Sequence, residues 1–491
     1  MSNLDTIYDY KKEEFISWNP VFNFVMELKY RYFGYFGRFD YSKSDNMVQY
    51  WANALNDVGV TKYADVLKYV KVIAYNELVL FKYNIIAVHN DKGYPDEEDT
   101  GITVTDLWYM YDGFYRECRG VVIDILNDML VITPFEKFFN LNEIEETMYD
   151  NIIEYMTKNG ITMNDLEITE KIDGCIISVR YYNGRTYISG SGSLDPEINR
   201  VIGWVDEYIR HNDNISKMIR CGNDSGFMRT YMFECICPLE THVVEYSEYQ
   251  YGLYLIGIRD VKYGFTLNYD SVIKTAEYYG VKTTKMYKDY TLNDLIAKMD
   301  DNVGSTREGF VVNIDQVTGF RIKIKYSDYV QLSAIMNNLS RNNIVKYVYN
   351  NELDDIKSIL RTKNKLIILE EIERCESVIS DYERIYKRLV ELYYSKVDEM
   401  ARFGSDIVTI MNYINILNPK YVRQDVINIY KGNYAYLKEA HYQLIKPASR
   451  KSQDIGYLTF DTIVERLEEM KEILRKETVC ETLEGGVEHD L

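Results

Sequence analysis

Glu170-Lys171-Ile172-Asp173-Gly174-Cys175 follows a polar turn and leads straight into the strand-like run Ile176-Ile177-Ser178-Val179. Gly174 allows the backbone to turn, or to come close to a bound group, without a Cβ penalty. Lys171 can act as a nucleophile only if its ammonium loses its proton near neutral pH. Burial or neighbouring cations favour that loss. Lys-x-Asp-Gly also describes ordinary surface turns, so the sequence around it decides its meaning.

The texture of the chain changes on either side of that run. Residues 1–72 read as helical: Val21 to Leu28 and Val48 to Leu55 carry apolar residues at three-to-four spacing. Residues 73–330 are short β-rich runs broken by Asn, Asp and Gly, among them 121–124, 176–179, 254–258 and 309–314. Strands separated by turns, with occasional helices, predict a mainly antiparallel α+β domain. The helical period returns over 331–476, where Ile372, Cys375, Ile379, Tyr382, Tyr386, Leu389 and Tyr393 form one apolar stripe. Asn418-Pro419 and the polar stretch 446–451 are expected to separate further helices, and 477–491 reads as a loose acidic tail.

Composition excludes more than it assigns. The 491 residues carry a formal charge of −19, of which residues 1–330 hold −16. Net charge governs solubility more than it governs a local site. Seven scattered cysteines show neither Cys-x-x-Cys nor zinc spacing, and five histidines fall in no catalytic pattern. No leader-like order opens the sequence, and no apolar run approaches the ~18–20 residues of a membrane span. The expectation is a cytoplasmic protein with reduced thiols. The 47 tyrosines and 7 prolines fit an AT-rich, virus-like genome.

Five further strings flank Lys171 in order. Upstream lie Glu117-Cys118-Arg119-Gly120 and Pro134-Phe135-Glu136-Lys137-Phe138-Phe139-Asn140-Leu141-Asn142-Glu143. Downstream lie Met232-Phe233-Glu234, Glu308-Gly309-Phe310-Val311-Val312 and Arg321-Ile322-Lys323-Ile324-Lys325. Their order resembles the covalent nucleotidyltransferases, and more narrowly the phage-type ATP-dependent RNA ligase 1 family, over roughly residues 75–335. The resemblance implies an α+β nucleotidyltransferase (ATP-grasp-like ligase) core of antiparallel sheets with helices. An all-α C-terminal domain for RNA specificity and a helical N-terminal extension complete the expected architecture.

It further implies Lys171 as the lysine that carries AMP, with Lys323 and Lys325 catalytic. Tyr83, Arg119, Lys137, Phe139, Asp173, Gly174 and Glu234 would join those two lysines around ATP, and Glu308 would hold Mg2+ or Mn2+. The residues carry physical readings of their own. Lys323 and Lys325 alternate along a strand, so both amines share a face. There they could stabilise a pentacoordinate phosphate and keep Lys171 deprotonated. Arg119 can fork onto phosphate, or simply pair with Glu117. Glu234 lies between apolar neighbours, where an unpaired carboxylate is costly.

Two positions depart from the family pattern. Ser191 stands before Gly192-Ser193 where the phage protein has a lysine, so a cation there is missing or replaced. Cys175 stands where many relatives have serine. The predicted activity is RNA ligation joining 5′-phosphate and 3′-hydroxyl ends in RNA or tRNA repair, by a monomer away from membranes. Alternatives are an mRNA capping guanylyltransferase, a DNA ligase, or an inactive RNA-binding relative. Helical periodicity after Lys325 argues against the β-rich OB domain of the first two. In the C-terminal region Lys363, Lys365, Arg450 and Lys451 could meet RNA phosphates.

Overall fold

Asn19 accepts from the amides of Val21 and Phe22 and so starts the helix Pro20–Phe36. Its apolar stripe, Val21, Val25 and Leu28, packs with Trp51 and Leu55 of the helix Met47–Asp57. The chain then enters an antiparallel sheet of β1 (Val70–Tyr75), β2 (Leu78–Tyr83), β3 (Arg119–Asp124) and β4 (Met129–Ile132), in that order. Val79 and Phe81 on one face of β2 join the helical core, while Leu78 and Leu80 on the other join Tyr182 and Leu194. Alternation of period two buries both faces. The N-terminal helices, read from sequence as an extension, therefore share a core with this sheet. The computed structural model describes residues 17–38, 45–84, 104–224, 228–301, 303–304, 306–363, 365–433, 439, 441–445 and 456–484.

Two more sheets follow. One holds β7 (Cys175–Tyr182), β8 (Arg185–Gly190), β9 (Arg229–Ile236) and β10 (Gly252–Asp260) in the antiparallel order β10-β9-β7-β8. Ile177, Val179, Phe233 and Leu255 bury one face against the helices Arg200–Arg210, Asp213–Asp224 and Tyr269–Tyr279. Each such side chain contributes about 1.5–3 kcal/mol on burial. The other sheet joins β5 (Phe139–Asn140), β6 (Glu167–Lys171), β11 (Met286–Tyr287), β12 (Gly309–Asp315) and β13 (Phe320–Lys325) in the order β11-β6-β12-β13-β5. Only its β13–β5 pair is parallel. The strand runs and antiparallel pairing expected from sequence are present.

The chain divides into two compact units, Met1–Val330 and Gln331–Leu491. Among its described residues the second unit is helical apart from one isolated bridge, Ile445 to Tyr457. Its long helix Leu366–Arg402 buries the predicted stripe from Ile372 to Tyr393. Two expectations are corrected here. Of the segment 477–491 read as a tail, residues 477–484 continue the helix Phe460–Glu484, and 485–491 lie outside the described residues. Lys365, a suggested RNA contact, is only 2% exposed beside the start of the long helix. Arg450 and Lys451 lie outside the described residues.

Candidate active site

Register sets out the site as ranks across β6, β12 and β13. Lys171, Gly309 and Lys325 stand opposite one another; Thr169, Val311 and Lys323 form the next rank, and Glu167, Asn313 and Arg321 the third. Residues two apart share a face. That face walls a cavity of about 440 Å3, closed on other sides by Ile176 of β7, Glu234 of β9 and Ile256 of β10, with Lys82, Tyr83 and Arg119 of the first sheet. Gly309 must be glycine, because a Cβ there would lie 2.1 Å from the Ile324 carbonyl oxygen.

Charge in the cavity is concentrated and mostly desolvated. Glu308 is 3% exposed and sets Oε2 2.7 Å from Lys171 Nζ and Oε1 2.8 Å from Lys325 Nζ. Burial opposes the Lys171 ammonium, but the Glu308 and Glu234 carboxylates outweigh it and hold its pKa above the usual lysine value. The expectation that neighbouring cations leave Lys171 neutral is thus corrected for the nucleotide-free protein. Lys323 behaves in the opposite way. Burial first, then the cations Arg119, Lys137, Lys171 and Lys325, pull it down to about 6. Glu234 is pushed up to about 7, chiefly by burial, and has no hydrogen-bond partner among the described residues.

Lys171, Tyr83, Arg119, Gly174, Glu234, Lys323 and Lys325 all line this one cavity. Arg119 is not paired with Glu117, the plainer possibility raised by the sequence. Glu117 instead forms two bonds to Arg259, at 2.8 and 3.0 Å, with a third from Asn19 at 3.2 Å. Arg119 donates to the Glu136 carbonyl at 3.3 Å and lies over the Phe138 ring.

Asp173, Lys137 and Phe139, also expected at the site, are not among the residues that line the cavity. Asp173 is buried, accepting from Tyr329 Oη at 2.8 Å and the Val244 amide at 2.9 Å, so it braces the turn after Lys171. The tight approach of Gly174 is to protein, since a Cβ there would lie 2.5 Å from the Cys235 carbonyl oxygen and 2.9 Å from Glu234 Cγ. Phe139 is 1% exposed and packs edge-on against Trp108. Lys137 spans Phe139 and reaches Glu143 at 4.0 Å.

Of the neighbouring pair Phe138 and Phe139 it is Phe138 that lines the cavity, with Tyr83, Phe135 and Tyr269, and Lys323 overlies it at 4.6 Å. Sequence reading chose its neighbour Phe139 on the family resemblance alone. Arg321 and Asn313 were also missed, although a count of two back from Lys323 would have found Arg321. Arg321 lies 4.3 Å over Phe135, and burial lowers its pKa to about 10. Asn313 donates to Glu167 at 2.9 Å, while its buried Oδ1 has no partner.

A cavity lined by Lys171 and a cluster of further cations, with the carboxylate of Glu234 opposite, is suited to binding a phosphate-bearing group. Residues 117–329 match the phage-type RNA ligase 1 family. The RNA ligase match spans the strings from Glu117 to Lys325. A protein of Thermovibrio ammonificans described as a candidate RNA ligase is 25% identical over 296 residues, 59% of this chain and 67% of that one. Among solved structures, Naegleria gruberi RNA ligase with pyrophosphate is 20% identical at a TM-score of 0.30, covering 41% of this chain and 60% of its own. A variant of the same Naegleria gruberi enzyme was solved with ATP and Mn, at a TM-score of 0.30 and the same coverage. An archaeal ATP-dependent RNA ligase is 12% identical at 0.34, covering 72% of this chain and 86% of its own. The chain spans less than two thirds of the Naegleria gruberi enzyme.

Proposed function

We propose that this protein is an ATP-dependent RNA ligase joining 5′-phosphate to 3′-hydroxyl ends through lysyl-AMP. The observation that carries the reading is the convergence of Lys171, Lys323, Lys325 and Arg119 on one cavity inside the segment that matches the RNA ligase family. Lys171, having given its proton to water, attacks the α-phosphate of ATP. The Nζ–P bond forms, the bond to the bridging oxygen of the β-phosphate breaks, and pyrophosphate leaves. An oxygen of the RNA 5′-phosphate then takes the AMP, freeing Lys171. The RNA 3′-hydroxyl finally attacks the phosphorus of that 5′-phosphate, loses its proton and displaces AMP.

Among the described residues no cluster of three or more His, Cys, Asp or Glu is placed to hold a metal alone. Glu308 and Glu234 fit a divalent cation that also takes phosphate and water ligands, as Mg2+ does. Such a cation, Mg2+ or Mn2+, supplies charge neutralisation to the triphosphate. Lys323 and Lys325 stabilise charge on the reacting phosphate, and the carboxylate of Glu234 takes a ribose hydroxyl or a water bound to that cation. We assign the helical second unit to RNA recognition, and RNA or tRNA repair as the setting.

The test is incubation with α-labelled ATP and magnesium. An acid-stable, hydroxylamine-sensitive adduct should form and vanish in Lys171→Ala. Label kept by that variant would sink the assignment of Lys171. Labelling by GTP alone would mean capping chemistry, and sealing of nicked DNA but not RNA would mean a DNA ligase.

A further inference from the structure

Lys71, Lys82 and Arg119 stand in register across β1, β2 and β3, three cations abreast on one face. Like charges directly opposite one another on a sheet are destabilising. Lys82 is on an inner strand, so it does not serve as a charge guarding a sheet edge. Among the described residues its ammonium has neither a hydrogen bond nor an ion pair. It lines the cavity beside Tyr83 and Arg119. Its end lies over the Ser191-Gly192 turn, where a Cβ on Gly192 would come within 2.9 Å of Lys82 Cδ and 3.0 Å of Lys82 Nζ. Ser191 lines the same cavity, so that turn has no cation of its own and Lys82 supplies one from a different strand.

We propose that Lys82 binds the β- and γ-phosphates of ATP, the part that departs as pyrophosphate. The proposal rests on the ligase reading above. Lys82 and Arg119, two cations that line the cavity without a carboxylate partner among the described residues, call for an anion. Lys171, Lys323 and Lys325 hold the far wall at the α-phosphate, which leaves Lys82 and Arg119 for the rest of the triphosphate. A 5′-phosphate of RNA offers the same chemistry, so the experiment must separate the two sources.

The test uses the full-length protein with Lys82→Met, which keeps the aliphatic stem, and Lys82→Arg, which keeps the charge. Three quantities are read: affinity for ATP and for AMP, the KM for pyrophosphate in reversal of lysyl-AMP, and sealing of RNA already carrying a 5′-adenylate. Lys82→Met should weaken ATP binding and raise the pyrophosphate KM about tenfold or more, the scale of one lost hydrogen bond to a charged group. AMP affinity and sealing of adenylylated RNA should move less than about twofold, and Lys82→Arg should recover most of the loss. Adding S191K to Lys82→Met should restore part of it by returning charge to the same wall.

Unchanged ATP and pyrophosphate constants in a folded Lys82→Met protein overturn the proposal. So does a variant that binds ATP normally but fails on adenylylated RNA, which would give Lys82 to the RNA phosphate. Equal loss of ATP and AMP binding would show a merely structural role. Absence of lysyl-AMP in the unaltered protein would instead overturn the ligase reading itself.

Discussion

Glu308 and Lys171 meet at 2.7 Å, and the second oxygen of the same carboxylate meets Lys325 at 2.8 Å. The Lys171 amine, proposed above as the nucleophile, is therefore held charged until something replaces that contact. Glu308→Gln should lower the Lys171 pKa, since the carboxylate next to it is what outweighs burial. Labelling with a dilute amine-reactive reagent across pH, followed by mass spectrometry, reads the neutral fraction directly. The Lys171 labelling curve should move to lower pH in the variant. A curve that stays in place would show that Glu308 does not control the proton.

Lys323 gives the opposite sign. In the free protein its pKa is near 6, so at pH 7.5 it is mostly neutral. Phosphates arriving beside it favour the charged form and raise that value, so binding should take up protons from the buffer. Calorimetry of a non-hydrolysable ATP analogue in buffers of different ionisation enthalpy should show net uptake at pH 7.5. The uptake should shrink in Lys323→Met and fall away as the starting pH drops below about 6. Proton release in the unaltered protein would contradict the assignment.

Arg259 and Glu117 form a buried pair, 9% and 8% exposed, in which Asn19 also takes part. Arg259→Met leaves Glu117 charged and unpaired and should cost about 3–5 kcal/mol. Combining it with Glu117→Leu should recover a large part of that loss. Urea melts of the three variants decide this, and a double variant no better than the single would reject the pair as the cause.

Tyr329 links the helix after Lys325 to the turn after Lys171 through its bond to Asp173. Tyr329→Phe should cost about 1 kcal/mol of stability, the net value of one such bond. It should slow adenylylation more than it weakens ATP binding, because Asp173 braces the turn rather than touching nucleotide. Equal effects on rate and binding would argue that the residue reaches substrate.

The second unit should choose the RNA without taking part in adenylylation. A chain ending at Asn338, where the helix Ser327–Asn338 finishes, should still form lysyl-AMP but lose preference among RNA ends. Full preference in a folded truncated chain would assign the helical unit another task.

The strands and the lysines that meet at the cavity were legible in the sequence because periodicity and motif order are local signals. Lys171, Lys323 and Lys325 fall together because alternation along β6 and β13 survives folding unchanged. Long-range pairings were not legible. Nothing local to Glu117 points to Arg259, 142 residues away, nor does anything near Asp173 point to Tyr329. Phe138 and Phe139 differ by one residue, and that single step decides which ring faces the cavity and which joins the core. Lys82 was passed over because its cavity contact is with a turn more than a hundred residues downstream.

The ranks on β6, β12 and β13 carry a consequence for how such a site can change. A one-residue insertion in the hairpin between Asp315 and Phe320 that let β13 slide would turn Arg321, Lys323 and Lys325 away from the cavity together. Point substitutions remove these cations one at a time, whereas an indel removes them as a block. The hairpin is thus a place where length is constrained far more tightly than residue identity, and where drift would abolish the chemistry in a single event.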